Sequence, residues 1–261
     1  MRKKPYPTDL SKSQFEHIKH WFHKARRGRP QELATHEVIN AILYLLATGA
    51  QWRALPHDFA HWQSVYYYYR KWRQDGTWKQ IHDSLRAQVR QRAGRHKHPT
   101  AGCLDSQSVK TTALGGVRGF DSGKKVKGRK RHLLVDTLGL LLVVVVTAAS
   151  VSENAGAKKV FKRLRGCCKK LRKVWVDGGY KQGLMTWVAA HCQFRLAQVL
   201  RREEQKGFVL LPRRWVVERT FAWLNNLRRL SKDYERLTET SEMLIYIALT
   251  RLMLRRLVPS S

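Results

Sequence analysis

Near residue 100 the apolar residues change from a helical spacing to a strand pattern, which limits the chain to a helical segment followed by a mixed α/β one. On the N-terminal side, Phe15, Ile18, Trp21 and Phe22 fall on one helical stripe, as do Val38, Ile42, Leu45 and Leu46. Thr35 has the chemistry of an N-cap ahead of the second stripe, and Gly49 supplies a stop behind it. The stretch 88–99, QVRQRAGRHKHP, breaks the pattern with Gly94 and Pro99. It reads as a linker between a small all-helical domain at 1–87 and a second domain at 100–261.

Beyond Thr100, a short apolar stretch ends in Leu104 and Asp105, and a glycine-rich basic segment follows. His132 to Val135 and Leu140 to Thr147 then flank Asp136-Thr137-Leu138-Gly139, so the β-branched run Val143 to Val146 reads as a buried strand of a hairpin. Ala155 to Leu171 is helical in pattern, Lys173 to Val176 is a strand, Gly183 to Ala190 is a helix, and Val209 and Leu210 close a last strand before Pro212. Val217, Phe221, Leu224 and Leu227 make one stripe of a helix starting at Trp215, and a second amphipathic helix covers Ser241 to Arg256. Such alternation builds an α/β sheet with helices packed on it.

Charge narrows the partners. The chain carries 51 Lys+Arg against 19 Asp+Glu, a formal net charge of +32 at pH 7. A surface that basic repels itself without a polyanion, and each nucleic-acid phosphate it neutralises releases condensed counterions. Nucleic acid is the expected partner. The basic start, MRKKPYPTDL, is not followed by an apolar leader, and the apolar runs Leu138 to Ala149 and Met243 to Leu254 are short for a bilayer. A cytoplasmic, nucleoid-associated protein without a membrane span is expected. Cys103, Cys167, Cys168 and Cys192 form no zinc-like spacing and read as reduced thiols, and His17, His20, His23, His96 and His98 read as surface residues.

Three acids stand in distinctive settings. Asp105 sits on or just beyond a strand, Asp177 ends the apolar strand Val174-Trp175-Val176 ahead of Gly178-Gly179, and Glu218 lies within a helical run. Acids at the ends of neighbouring strands in an open sheet converge on one crevice, and a third from a packed helix completes a carboxylate cage. Oxygen donors of this kind suit Mg²⁺ or Mn²⁺, and a pair of such ions serves in-line phosphoryl displacement. Glu203, Glu204 and Glu235 are the rivals of Glu218 for the third position, the first two in a polar segment of loop composition.

The segments Leu104-Asp105-Ser106-Gln107-Ser108, Gly128-Arg129-Lys130-Arg131-His132, Val176-Asp177-Gly178-Gly179-Tyr180 and Arg213-Arg214-Trp215-Val216-Val217-Glu218-Arg219-Thr220 resemble the DDE transposases of small bacterial insertion sequences. The resemblance covers nearly the whole chain, with gaps of 72 and 41 residues between successive acids. It implies a ribonuclease-H-like catalytic core in which Asp105 contacts two metal ions while Asp177 and Glu218 each hold one. It also implies cleavage at the element's terminal inverted repeats, transfer of the 3′-OH ends into target DNA, and at least a homodimer on DNA. The family's motif Tyr-x-x-Arg-x-x-x-Glu followed seven residues later by Lys is matched at Arg214 and Glu218, with Leu211 and Asn225 at the other two places. Arg228 and Arg229 are the candidates to supply the missing phosphate contacts.

Two further stretches suggest DNA contact. Lys124, Lys125, Lys127, Arg129, Lys130 and Arg131, flanked by Gly115, Gly116, Gly119 and Gly123, read as a phosphate-tracking loop. Trp52 to Pro56 followed by His61 to Arg73 suggests a helix-turn-helix whose second helix presents Gln63, Arg70, Lys71 and Arg73 to DNA. The rival functions are a DNA-binding regulator with an inactive remnant of a catalytic domain, and a ribonuclease-H-like nuclease that cuts without joining.

Overall fold

The computed structural model describes residues 4–22, 33–165, 167–199 and 214–259. The strand expected at Val209 and Leu210, together with His23, Glu203, Glu204 and Leu211, lies outside the described residues. The chain divides into two compact units. The first takes residues 1–89, 225–231 and 243–261; the second takes 90–224 and 232–242.

The first unit is helical. Helix α1 (Lys12–Ile18) starts from a capping box in which Ser11 and Gln14 satisfy each other's backbone N–H groups. Helix α2 (Thr35–Thr48) begins one residue earlier than an N-cap at Thr35 would place it, because Ala34 holds the extended cap position and makes no side-chain cap. It ends where expected: Gly49 takes the left-handed conformation, φ 77°, and its N–H donates to the Leu45 carbonyl. Helices α3 (Trp62–Gln74) and α4 (Thr77–Arg92) follow. Val38, Ile39, Ile42, Tyr69, Trp72, Trp78, Ile81 and Leu85 are buried here. The unit also draws on residues remote in sequence: Gln14 Nε2 donates to the Val258 carbonyl at 2.8 Å, and Arg229 Nη1 to that of Ala50 at 2.6 Å.

The second unit is a mixed sheet with helices. Its strands are β1 (Ala101–Lys110), β2 (Gly119–Asp121), β3 (Val126–Asp136), β4 (Leu141–Ala148), β5 (Lys173–Val176) and β6 (Arg195–Gln198). The path runs β2-β3-β1-β5-β6, with β4 also on β3. Strands β1, β2 and β4 pair antiparallel to β3, whereas β1, β5 and β6 are mutually parallel along the sheet. Helices α5 (Glu153–Leu164), α6 (Gln182–His191) and α7 (Trp215–Asn225) complete the alternation here, whereas α8 (Arg228–Ser231) and most of α9 (Thr238–Leu257) belong to the first unit. Leu104, Leu134, Leu142, Val160, Phe161, Val174 and Val176 share one buried cluster with Tyr180 and Leu184. At the β3–β4 turn, Asp136 Oδ1 accepts the N–H groups of Leu138 and Leu140.

Arg90 forms a buried pair with Asp136 and donates through Nε to the His96 carbonyl at 2.8 Å. These partners explain why α4 continues to Arg92, five residues into the stretch that its glycine and proline mark as a linker. Among the described residues no helix is long and apolar enough to cross a membrane.

Candidate active site

Strands β1 and β5 run side by side, and Cys103 opposite Trp175 is their last paired position. Carried two residues further, the register brings Asp105 level with Asp177. Asp105 continues β1, with Oδ1 accepting the Ser106 N–H at 2.7 Å. Asp177 follows the end of β5 and folds its own turn, accepting the Gly179 N–H on Oδ1 at 3.0 Å. Tyr180, fully buried in the core cluster, anchors that turn from its far end.

Helix α7 carries the third acid. Val216, Val217, Phe221 and Leu224 are buried, while Thr220 Oγ1 donates to the Gly139 carbonyl at 2.9 Å and Arg219 Nη2 to that of Leu138 at 3.0 Å. Gly139, φ 80°, could not carry a side chain there without meeting Thr220, Trp223 and Arg219. Helix α7 is thereby fastened to the β3–β4 turn. Its Glu218 side chain is 55% exposed and pairs with Arg214 at 3.4 Å, and the same Nη2 lies 3.7 Å from Asp177 Oδ2. Asp105 and Asp177 are therefore direct neighbours, whereas Glu218 is joined to them through the Arg214 guanidinium. Among the described residues no three His, Cys, Asp or Glu side chains converge tightly enough to enclose one ion.

Electrostatics mark Asp105 as the strained member. Burial pushes its carboxyl up to about 6; the charge of Asp177 adds to the rise, and the Ser106 N–H, Arg214 and Lys124 oppose it. Burial, then the charges of Asp105, Glu153 and Asp177, drive the Tyr180 phenol well above its ordinary value. The donors are all carboxylate oxygens, which fits a hard cation such as Mg²⁺. A Cβ on Gly179 would stand 3.1 Å from Asp177 Oδ1, so the glycine leaves that oxygen's flank open.

The basic candidates divide. Lys124, Lys125 and Lys127 are exposed, Lys125 at a left-handed φ of 51°. Lys124 leans toward the acids, with Nζ 3.0 Å from the Ser106 carbonyl and 3.6 Å from Glu153. Arg129, Lys130 and Arg131 do not form the exposed phosphate-tracking loop expected of them: all three lie on β3 and are buried. Arg129 donates to Asp233 at 2.9 Å, Lys130 pairs with Asp121 at 3.0 Å, and Arg131 donates to the Lys232 carbonyl at 3.3 Å. Interior charges must be paired, and these are held by acids and carbonyls of their own unit. Arg229 is likewise buried, whereas Arg228 is exposed. On α3, Gln63 and Arg70 are exposed, Lys71 and Arg73 are half-buried, Tyr66 and Tyr67 face outward, and Tyr69 is in the core.

Glu153 belongs to this neighbourhood and lies in none of the sequence motifs, whereas Tyr180 closes the Asp177 motif without a role having been assigned to it there. Ser152-Glu153 has the signature of an ordinary helix start, with the Ser152 side chain accepting the Ala155 N–H.

Known transposase families match the chain along most of its length. Residues 96–253 match the family described as "Transposase DDE domain", and residues 10–82 match "Putative transposase of IS4/5 family". A curated relative from Burkholderia cepacia, described as "Putative transposase for insertion sequence element IS402", is 33% identical over 116 residues. That match spans 42% of this chain and 54% of the relative.

Proposed function

The chain belongs to the DDE-domain transposase family of insertion-sequence elements, and from that premise we propose that it cuts DNA at the ends of its own element and joins those ends to target DNA. The observation carrying this reading is the alignment of Asp105 with Asp177 across two adjacent parallel strands, with Arg214 bridging Asp177 to Glu218. Asp105, Asp177 and Glu218 are the residues that would hold divalent cations, two Mg²⁺ or Mn²⁺ per site. Bound there, the ions would polarise the phosphate and ease ionisation of the attacking hydroxyl.

The protein's own groups prepare this chemistry. Asp105 must be ionised to serve, so a cation bound there would compete with a proton that its elevated carboxyl holds more firmly than an ordinary aspartate does. Arg214 balances the charge of Asp177 and Glu218, a task that a cation held by these acids would share. Lys124, Lys125 and Lys127 line the approach for a DNA backbone, and Lys124 is the one beside the acids. The core is ribonuclease-H-like in this reading, and the N-terminal helices form a helix-turn-helix-type module that recognises the element's terminal repeats through Gln63, Arg70, Lys71 and Arg73. The protein acts as a dimer or higher multimer on double-stranded DNA in the cytoplasm.

The test combines labelled element-end DNA, target DNA and Mg²⁺ with the purified chain. Joined products are expected. Cleavage without joining would mark a nuclease, and binding alone a regulator.

A further inference from the structure

Glu153 is the first residue of α5, and its carboxylate stands among the site's acids. One oxygen is occupied: Oε1 accepts the Ser106 hydroxyl at 3.1 Å and lies 3.6 Å from Lys124 Nζ. The other, Oε2, has no hydrogen bond among the described residues. It faces the gap beside Gly179, where a Cβ would stand 2.8 Å from it and 3.1 Å from Asp177 Oδ1. The two oxygens of Asp177 thus look to different flanks, Oδ2 toward Arg214 and Oδ1 toward the gap shared with Glu153.

A second feature marks that gap as built for a ligand. Tyr180 is fully buried, yet its hydroxyl has no hydrogen-bond partner among the described residues. The charges acting on it most strongly are those of Asp105, Glu153 and Asp177, in that order. A buried hydroxyl without a hydrogen-bond partner, within range of the charges of three carboxylates, lacks a partner that water or a hydrated cation would supply.

The geometry points to Glu153 as a fourth carboxylate of the cation site, sharing a divalent ion with Asp177 on the flank of Asp177 away from Glu218. A hard cation of this class takes one or two protein carboxylates and fills its remaining positions with water and phosphate oxygens, so the pair is sufficient. The inference rests on the metal-dependent reading above, but it concerns a residue outside the three-acid motif.

Titration of the full-length chain with Mn²⁺, with free Mn²⁺ read by electron paramagnetic resonance, needs no DNA and no activity. Glu153→Gln is expected to weaken binding by at least about tenfold, since affinity follows the charge and number of the ligands. Gly179→Ala, which puts a methyl group into the gap, is expected to weaken it as well and carries the test should the glutamine variant fold poorly. Glu239→Gln, at the first turn of α9, is the control for an acid that serves only a helix start and should leave binding unchanged. If Asp177→Asn loses Mn²⁺ while Glu153→Gln and Gly179→Ala bind it like the parent chain, the fourth ligand is refuted and the three-acid site stands. If the parent chain binds no Mn²⁺, or Asp177→Asn leaves binding intact, both readings fall.

Discussion

Replacing Arg129 with methionine separates an interior arginine from a DNA-contacting one. The Arg129 side chain is fully buried, and its guanidinium donates to the Val117 carbonyl at 2.8 Å, to Asp233 at 2.9 Å, to the Ser241 hydroxyl at 3.2 Å and to the Arg236 carbonyl at 2.8 Å. Removing one partner of a buried ion pair costs about 3–5 kcal/mol, because the other charge stays in the interior uncompensated. Asp233 would keep the Ser241 hydroxyl at 2.7 Å, the Glu235 N–H at 3.0 Å and the charge of Arg131, so the lower end, about 3 kcal/mol, is expected. With a urea m-value of about 2 kcal/mol/M, the unfolding midpoint should fall by about 1.5 M. Arg129→Met combined with Asp233→Asn should lose less than the two single losses together, since no charge is then left unpaired. The salt dependence of DNA binding should not change. A midpoint within about 0.3 M of the parent chain, together with a slope of log K against log salt flatter by about 0.9, would refute the interior assignment and restore Arg129 as a phosphate-binding residue.

Three further outcomes are expected. The Asp105 carboxyl, ordinarily near 3.8, is raised to about 6, so in the unfolded chain it ionises first and stability falls as pH rises between those values. Metal-free Asp105→Asn should therefore be more stable than the parent by about 3 kcal/mol at pH 7.5 and no more stable near pH 4 in urea titrations; a benefit equal at both pH values would contradict this. Lys125→Ala with Lys127→Ala should flatten the salt slope by about 0.9 for each of the two lysines that neutralises a phosphate, whereas an unchanged slope would remove both from the DNA surface. Alanine at Gln63 or Arg70 should narrow the preference for element-end over random DNA by about 1–3 kcal/mol in competition binding, and an equal loss on both DNAs would make that residue a backbone contact.

Where local chemistry decides the structure, the sequence was a good guide. Gly49 ends α2 because its backbone takes φ 77°, and Lys173–Val176 is the strand that its apolar run implies. Trp215 opens α7, whose buried stripe includes Val217, Phe221 and Leu224. Partners distant in sequence were not legible. The basic run 129–131 has the composition of a solvated loop, but β3 lies between β1 and β4, and Arg129 finds Asp233 104 residues away. Residues 225–231 and 243–261 join the helical unit, which no local pattern in them announces. Strand β6, Arg195–Gln198, is short and weakly apolar, and it owes its form to pairing with β5. Asp105 could be picked out as an acid on or just beyond a strand, and Asp177 as one at a strand end. Their alignment needed the β1–β5 register, and the place of Glu153 beside them needed the packed start of α5.

The central claim is that the carboxylates of Asp105, Asp177 and Glu218 carry out strand transfer, and Glu218→Gln tests it most directly because that side chain is exposed and lies outside the buried stripe of its helix. In a gel assay with labelled element-end DNA, target DNA and Mg²⁺, the variant should bind end DNA with nearly the parent affinity and yield neither cleaved nor joined product, while the parent chain yields both. Joined product at the parent rate from Glu218→Gln would contradict the account and require the third carboxylate to be sought elsewhere in the chain.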